Sequence, residues 1–364
     1  MHVDLDTLIP LSVSGMRDSV GTGLVVCRDL GLLIKSNLWA ECLDVFALPR
    51  ACSVAGVNVD FLYNLGFSGG EDEEEGANMV FKFNAGDGLS GYLAFVGCTT
   101  SRLLLVSDAG SEAVHVVDVV GRKHVGYVAA PGTIDGPKQI ATRGSLVAVN
   151  VRPWRPGWSK IGDSKVVLFE GSGASWVQVR EVNNLGCGPE LADGRLYDST
   201  GLRFTRDGTG LVVANNGSAS VSILRVQDWT FERHVVAHPK ESMMSKRFVD
   251  VEECEGGWLV AYSMFGDGHD HGAVVFVDDE GVSRATMGTS GSEIGEFTVL
   301  DSLTLVPGLG LVTREFFDNG RVQVFATPDV VAMGAMSHML VAWMVAVARG
   351  VASRAAKAAT SEGL

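Results

Sequence analysis

Short Val- and Leu-rich runs, each closed by a polar break that carries glycine, asparagine or aspartate, recur along most of the chain. One pairing repeats: an apolar strand, a polar break, then a second strand ending in a Val-x-Val-Phe-like run. It reads LGLLIKSN…CLDVFAL from residue 30, RLLLVSDAGSEAVHVVDV from 102, SLVAVNV…SKVVLFEG from 145, GLVVANNGSASVSILRV from 210, GWLVAYS…GAVVFVDDE from 257 and LGLVTREFFDNGRVQVFAT from 309, six copies in all. A unit repeating at this spacing cannot bury its own apolar faces and must stack on its neighbours. Most copies are preceded by a further strand (YLAFVGC at 92, PKQIATR at 137, TGLRFTRDG at 200, FVDVEEC at 248, DSLTLVPG at 301). Several are followed by a fourth, HVGYVA at 124, WVQVREV at 176 and TFERHVV at 230.

Four short strands per unit, bounded by DG, NG, PG or GG turns, predict the blades of an all-β, six-bladed β-propeller. The strands read as continuous apolar runs rather than alternations, as expected where both faces of a sheet are covered. The sixth copy has no fourth strand, and the N-terminal segment LIPLSVSG (8–15) has no partner of its own. The N-terminal strand is therefore expected to complete the last blade and remove an open sheet edge. Residues 330–348, VVAMGAMSHMLVAWMVAVA, carry no acidic side chain, and larger apolar residues recur there every three or four positions. That spacing predicts a C-terminal α-helix over 328–358 that docks on the propeller, with membrane insertion or partner binding as alternatives. The domain reading is a propeller over 1–327, the helix over 328–358 and a disordered tail over 359–364.

Composition narrows the functional classes. The chain has 364 residues, 45 of them glycine, and a formal charge of −14. That charge disfavours nucleic acid and anionic membranes, which must be met with Lys and Arg. Six scattered cysteines form no Cys-x-x-Cys pair, and Cys27 and Cys98 sit in apolar runs. With no basic leader at the N-terminus, the expectation is free thiols in a cytoplasmic protein.

The segment FNAGDGLSGYLAFVG…RLLLVSDAGSEAVHVVDV resembles an NHL repeat, and GTSGSEIGEFTVLDSLTLVPGLGLVTREFFDNGRVQVFAT (288–327) is the closest copy. The resemblance spans roughly residues 20–327 and implies a six-bladed propeller. It says little about function, because the family includes protein-binding and RNA-binding modules and enzymes.

Connections from strand two to three and from one blade to the next share one face of a propeller. On this rule 150–163, 263–272, 183–199 and 237–247 all lie at one mouth of the channel, where long loops carry function. The first of these interleaves Arg152, Trp154, Arg155, Trp158 and Lys160, the side chains of interface anchors. The leading expectation is a non-catalytic scaffold that binds a protein partner through these residues and needs no cofactor. The alternative is a metal-dependent hydrolase, resembling gluconolactonase-type propellers, or a lyase, with one divalent cation, Ca or Zn, at the channel mouth. Its ligands would come from Asp108, Asn150, Asn215, His269 and His271. Asp108, Asn150 and Asn215 belong to a register of strand-two ends that also includes Ser36, Tyr262 and Arg314, where Asp and Asn also serve as turn-formers. Arg314 is expected to pair with the adjacent Glu315. His115 is expected to be a packed strand residue, and the acidic run EDEEE (71–75) a solvated insertion.

Overall fold

The computed structural model describes residues 9–11, 13–14, 24–27, 30–37, 42–48, 57–66, 93–100, 102–152, 164–183, 196, 199–215, 220–237, 246–264, 271–306, 309–315 and 321–326. Two N-terminal strands come first, β1 (Ile9–Leu11) and β2 (Val13–Ser14). Blade one holds β3 (Leu24–Cys27), β4 (Leu32–Asn37), β5 (Cys42–Ala47) and β7 (Phe61–Gly66), while β6 (Val57–Asn58) pairs in parallel with β2. Blade two is β8 (Leu93–Thr100), β9 (Leu103–Asp108), β10 (Ala113–Asp118) and β11 (Lys123–Ala129). Blade three is β12 (Pro137–Arg143), β13 (Leu146–Val151), β14 (Lys165–Ser172) and β15 (Ser175–Val182). Blade four is β16 (Ser199–Phe204), β17 (Gly210–Asn215), β18 (Ser220–Arg225) and β19 (Thr230–Ala237). Blade five is β20 (Lys246–Cys254), β21 (Gly257–Met264), β22 (His271–Asp278) and β23 (Ser283–Met287).

After a parallel pair, β24 (Thr289–Ser290) with β25 (Glu296–Phe297), blade six holds β26 (Leu300–Val306), β27 (Gly310–Glu315) and β28 (Val322–Ala326). Its fourth strand is β1, antiparallel to β28 with Ile9 opposite Ala326 and Leu11 opposite Val324. The unpartnered N-terminal segment thus occupies the one vacant edge, as the repeat count required. The blade strands that the sequence pattern does not declare, Leu24–Cys27, Phe61–Gly66 and Ser283–Met287, are the first or last of their blades.

One hydrophobic cluster fills each junction between neighbouring blades. Strand alternation divides each run between two of them. Leu104 and Val106 pack toward blade one, whereas Leu105 packs toward blade three. Val322, Val324 and Ala326 of β28 pack on Leu33 and Phe46 of blade one, while Phe325 turns to Phe297 and Leu300. Both faces of a blade are therefore core, which is why its strands read as unbroken apolar runs. The first strands β3, β8, β12, β16, β20 and β26 touch in sequence, and β26 returns to β3, so they form the inner ring.

The expected fold class needs one correction. The described residues are strands and turns with no α-helix, so the fold is all-β, and the C-terminal helix expected over 328–358 is not part of it. That stretch lies outside the described residues. In a segment apolar at nearly every position, three- and four-residue spacings occur on every face, so the periodicity carried little information. No helix among the described residues is long and apolar enough to cross a membrane.

Candidate functional site

Of the strand-two ends, Asp108 is engaged within its own turn, Asn150 ties two blades together, and Asn215 is buried at the end of β17 opposite Ser199. Asp108 Oδ1 accepts from the backbone N–H groups of Gly110 (3.1 Å) and Ser111 (3.2 Å), and Oδ2 accepts from the Ser111 hydroxyl (2.7 Å). His115 Nε2 also lies 3.4 Å from Asp108 Oδ2. His115 is a buried strand residue, and its Nδ1 lies 3.2 Å from His124 Nε2. Asn150 reaches across a blade junction: Nδ2 donates to the Ser199 carbonyl (2.7 Å) and Oδ1 accepts from the Ser199 hydroxyl (2.7 Å). Ser107 donates in the same way to the Lys138 carbonyl, and Ser263 to the Leu300 carbonyl at 2.9 Å. Ser107, Asn150 and Ser263 thus fasten one blade's second strand to the next blade's first. Among the described residues no group of three or more His, Cys, Asp or Glu side chains could hold a metal ion. His271 opens β22 opposite Met264, and His269 lies outside the described residues.

Arg314 and Glu315 do not pair with each other. Consecutive residues on a strand point to opposite faces. Arg314 Nη1 donates to Asp301 Oδ2 at 2.5 Å, while Glu315 accepts from Arg321 through Nε (2.7 Å) and Nη2 (2.8 Å). Arg321 also donates to the carbonyls of Glu296 (2.9 Å), Glu293 (3.2 Å) and Ser292. Gln323 adds bonds to the Glu296 carbonyl (2.7 Å) and from the Gly295 N–H (2.8 Å). The Arg-Val-Gln-Val-Phe run is therefore a clamp: its polar positions hold the GSEIGEF connection and its apolar positions fill the core.

Charge concentrates on the inner ring of blades four to six. Asp250 on β20 accepts from the N–H groups of Val251 (2.9 Å) and Leu303 (3.0 Å), and from Arg203 Nη2 at 3.3 Å. Arg203 also lies 2.9 Å from Glu252 and donates to the carbonyls of Val251 (2.7 Å) and Leu303 (2.8 Å). Asp301 stands at the ladder irregularity between Leu300 and Ser302, where β26 slips by one residue against β27. A bulge of this kind re-aims a side chain. The Asp301 Oδ2 contact with Arg314 is the carboxyl's one hydrogen bond among the described residues. Burial pushes the Asp301 carboxyl up to about 7 against the attraction of Arg314; the Asp250 charge adds to the rise and Lys138 opposes it. The sequence carried a signal for this cluster, since Arg203, Asp250, Glu252 and Asp301 are charges inside apolar first strands. Which of them meet was set by the ring.

The four long connections join the strands that sequence reading assigned to them. Residues 152–164 link β13 to β14, 265–270 link β21 to β22, 183–198 link β15 to β16, and 238–245 link β19 to β20. All four leave the same face, which is also the face on which β26 begins, with Asp301 as its second residue. The opposite face carries short turns such as 144–145, 173–174 and 255–256. Arg152 is half-buried and its N–H donates to the Gly136 carbonyl at 3.0 Å. Trp154, Arg155, Trp158, Lys160 and the EDEEE run lie outside the described residues.

No protein-family model matches the sequence, and no curated protein matches it. Solved structures do. A calcium-binding protein, regucalcin, from Agrobacterium tumefaciens is 10% identical with a TM-score of 0.54, covering 88% of this chain and 95% of that one. A luciferin-regenerating enzyme is also 10% identical with a TM-score of 0.54, over the same shares. A chain from a nidogen–laminin complex is 11% identical with a TM-score of 0.46, covering 74% of this chain and 80% of that one. At such identity the likeness establishes the six-bladed propeller, shared with regucalcin-like structures, and the NHL family is not confirmed.

Proposed function

We propose that the chain is a binding propeller whose working face is the long-loop mouth, and that it takes a protein partner there. The observation that carries this reading is the asymmetry of the two faces: the connections 152–164, 183–198, 238–245 and 265–270, of six to sixteen residues, leave one face, whereas every connection on the other is a turn of two to five residues except 48–60 between β5 and β7. Long loops gathered on one end of a rigid scaffold are where propellers and barrels place recognition. The loop 152–164 supplies the anchors Arg152, Trp154, Arg155, Trp158 and Lys160, with cationic and aromatic side chains interleaved on an acidic protein. A partner with acidic and apolar groups suits that loop. The test is affinity capture from extract of the source cells, comparing wild type with the Trp154→Ala/Trp158→Ala variant. A protein retained by wild type and lost by the double variant supports the reading; no protein depending on the two indoles overturns it.

A second reading, a hydrolase, is favoured by one observation. Asp301 presents a carboxyl that titrates near neutrality, with one hydrogen bond, on the same mouth. Perturbed carboxyls of this kind mark acid–base sites. In this reading the Asp301 carboxylate takes the proton of a water whose oxygen attacks an ester or lactone carbonyl, and returns it to the leaving alkoxide. Two of the donors named for a divalent cation are engaged within the protein: the Asp108 oxygens cap a turn and the Asn150 amide bonds Ser199. No step is therefore routed through a metal.

A further inference from the structure

The short-turn face carries a cleft of about 670 Å³ between blades three and four, lined by Arg143, Gly208, Thr209, Arg225, Gln227 and Glu232 among others. Arg143 ends β12, Gly208 and Thr209 form the β16–β17 turn, and Arg225 ends β18. Two guanidinium groups in one cleft stand out on a chain of net charge −14.

Arg143 is positioned by packing rather than by a polar partner. Gly208 has φ of +72°, and a Cβ built on it would lie 2.0 Å from Arg143 Nε and 2.4 Å from Cζ. The guanidinium therefore rests against a bare Cα, in space that only glycine leaves open. Among the described residues Arg143 makes no hydrogen bond and no ion pair; it lowers the Asp207 pKa only as the last of several causes, behind the hydrogen bonds of Thr205 and Thr209. Arg225 is weakly engaged, with Thr230 Oγ1 at 3.3 Å and Asp228 at 3.8 Å. A guanidinium offers five N–H donors, so both arginines keep most of theirs available. Thr209 is held by Asp207, which accepts from its N–H (2.9 Å) and hydroxyl (2.8 Å), so the floor of the cleft is fixed.

We propose that this cleft is a site for a small hydroxylated anion, whose carboxylate or phosphate is taken by Arg143 and Arg225 and whose hydroxyls meet Glu232. Planar guanidinium forks match both anionic groups, and the volume is that of small-molecule sites. Glu232 and the acidic chain turn away polyanions, whereas a single anionic group feels chiefly the two arginines, because charges beyond about 8 Å are screened at physiological salt. The site lies on the face opposite the long loops and does not depend on the partner reading above.

The test is titration calorimetry on the full chain with glucuronate and glucose 6-phosphate, and glucose as the uncharged control. At least one anion is expected to bind saturably and glucose not to bind; the anion that binds identifies carboxylate or phosphate as the recognised group. Arg143→Gln is expected to weaken binding about tenfold or more. Gly208→Ala changes no charge, yet its new methyl displaces Arg143, so it is expected to weaken binding as well. Arg143 is exposed, so Arg143→Gln is expected to keep the wild-type melting temperature and stays informative if the glycine variant is destabilised. Absence of binding by both anions up to about 10 mM, ten times the concentration matching about −4 kcal/mol of affinity, overturns the proposal. So does binding that Arg143→Gln leaves unchanged.

Discussion

Replacing Arg321 by alanine removes the cation from a wholly buried carboxylate. The Glu315 side chain is 0% exposed, and Arg321 meets it through two parallel bonds of 2.7 and 2.8 Å. After the substitution Glu315 retains three neutral donors: the Thr298 N–H (2.8 Å), the Thr298 hydroxyl (2.9 Å) and Gln323 Nε2 (2.9 Å). Breaking a buried ion pair from one side costs about 3–5 kcal/mol. The remaining donors, and water entering beside a side chain that is 20% exposed, place this case at the low end. The carbonyls of Glu293 and Glu296 lose a donor but face that same water, and add about 0.5 kcal/mol each. The expected loss is about 3–4 kcal/mol, read from urea unfolding followed by tryptophan fluorescence. Arg321→Lys keeps the charge without the fork and is expected to lose about half as much. Amide exchange should quicken first at β25 and β28, and then at β1, since the chain closes through β28. A loss below about 1 kcal/mol, within the range of an exposed ion pair, would refute the clamp. Equal losses for the alanine and lysine variants would also refute it.

Two further predictions concern Asp301. Its folded pKa of about 7 lies above the unfolded value near 3.9, so between those limits the unfolded chain releases a proton that the folded chain keeps. This group therefore makes stability fall as pH rises from about 4 to about 7, by up to about 4 kcal/mol, with no further change above. Asp301→Asn is expected to flatten that slope in unfolding measured at both ends of the window; an unchanged slope would show that Asp301 titrates normally. For the hydrolase reading, a panel of lactones and esters is expected to yield at least one substrate turned over by wild type and not by Asp301→Asn. Wild type inert toward the whole panel, or an active asparagine variant, removes that reading.

Blade count, strand order and ring closure were legible in the amino-acid sequence. The repeating unit is local, and most of its apolar runs are long enough to declare themselves without their neighbours, Leu24–Cys27, Phe61–Gly66 and Ser283–Met287 being the exceptions among the blade strands. Closure by Ile9–Leu11 followed from arithmetic: one strand too few at one end and one unpaired strand at the other. The assignment of the long loops to one face followed from strand parity alone. Tertiary structure decided the polar chemistry. Adjacent residues on a strand face opposite ways, so Arg314 found Asp301 on β26 and Glu315 found Arg321, just ahead of β28, rather than each other. The slip that turns Asp301 toward Arg314, and the burial that raises its pKa, depend on the first strands gathering into a ring. Arg143 and Gly208 meet across a blade junction, some sixty residues apart in the chain. No spacing rule reports such a contact, because what brings the two together is the packing of whole blades and not the local period of the chain.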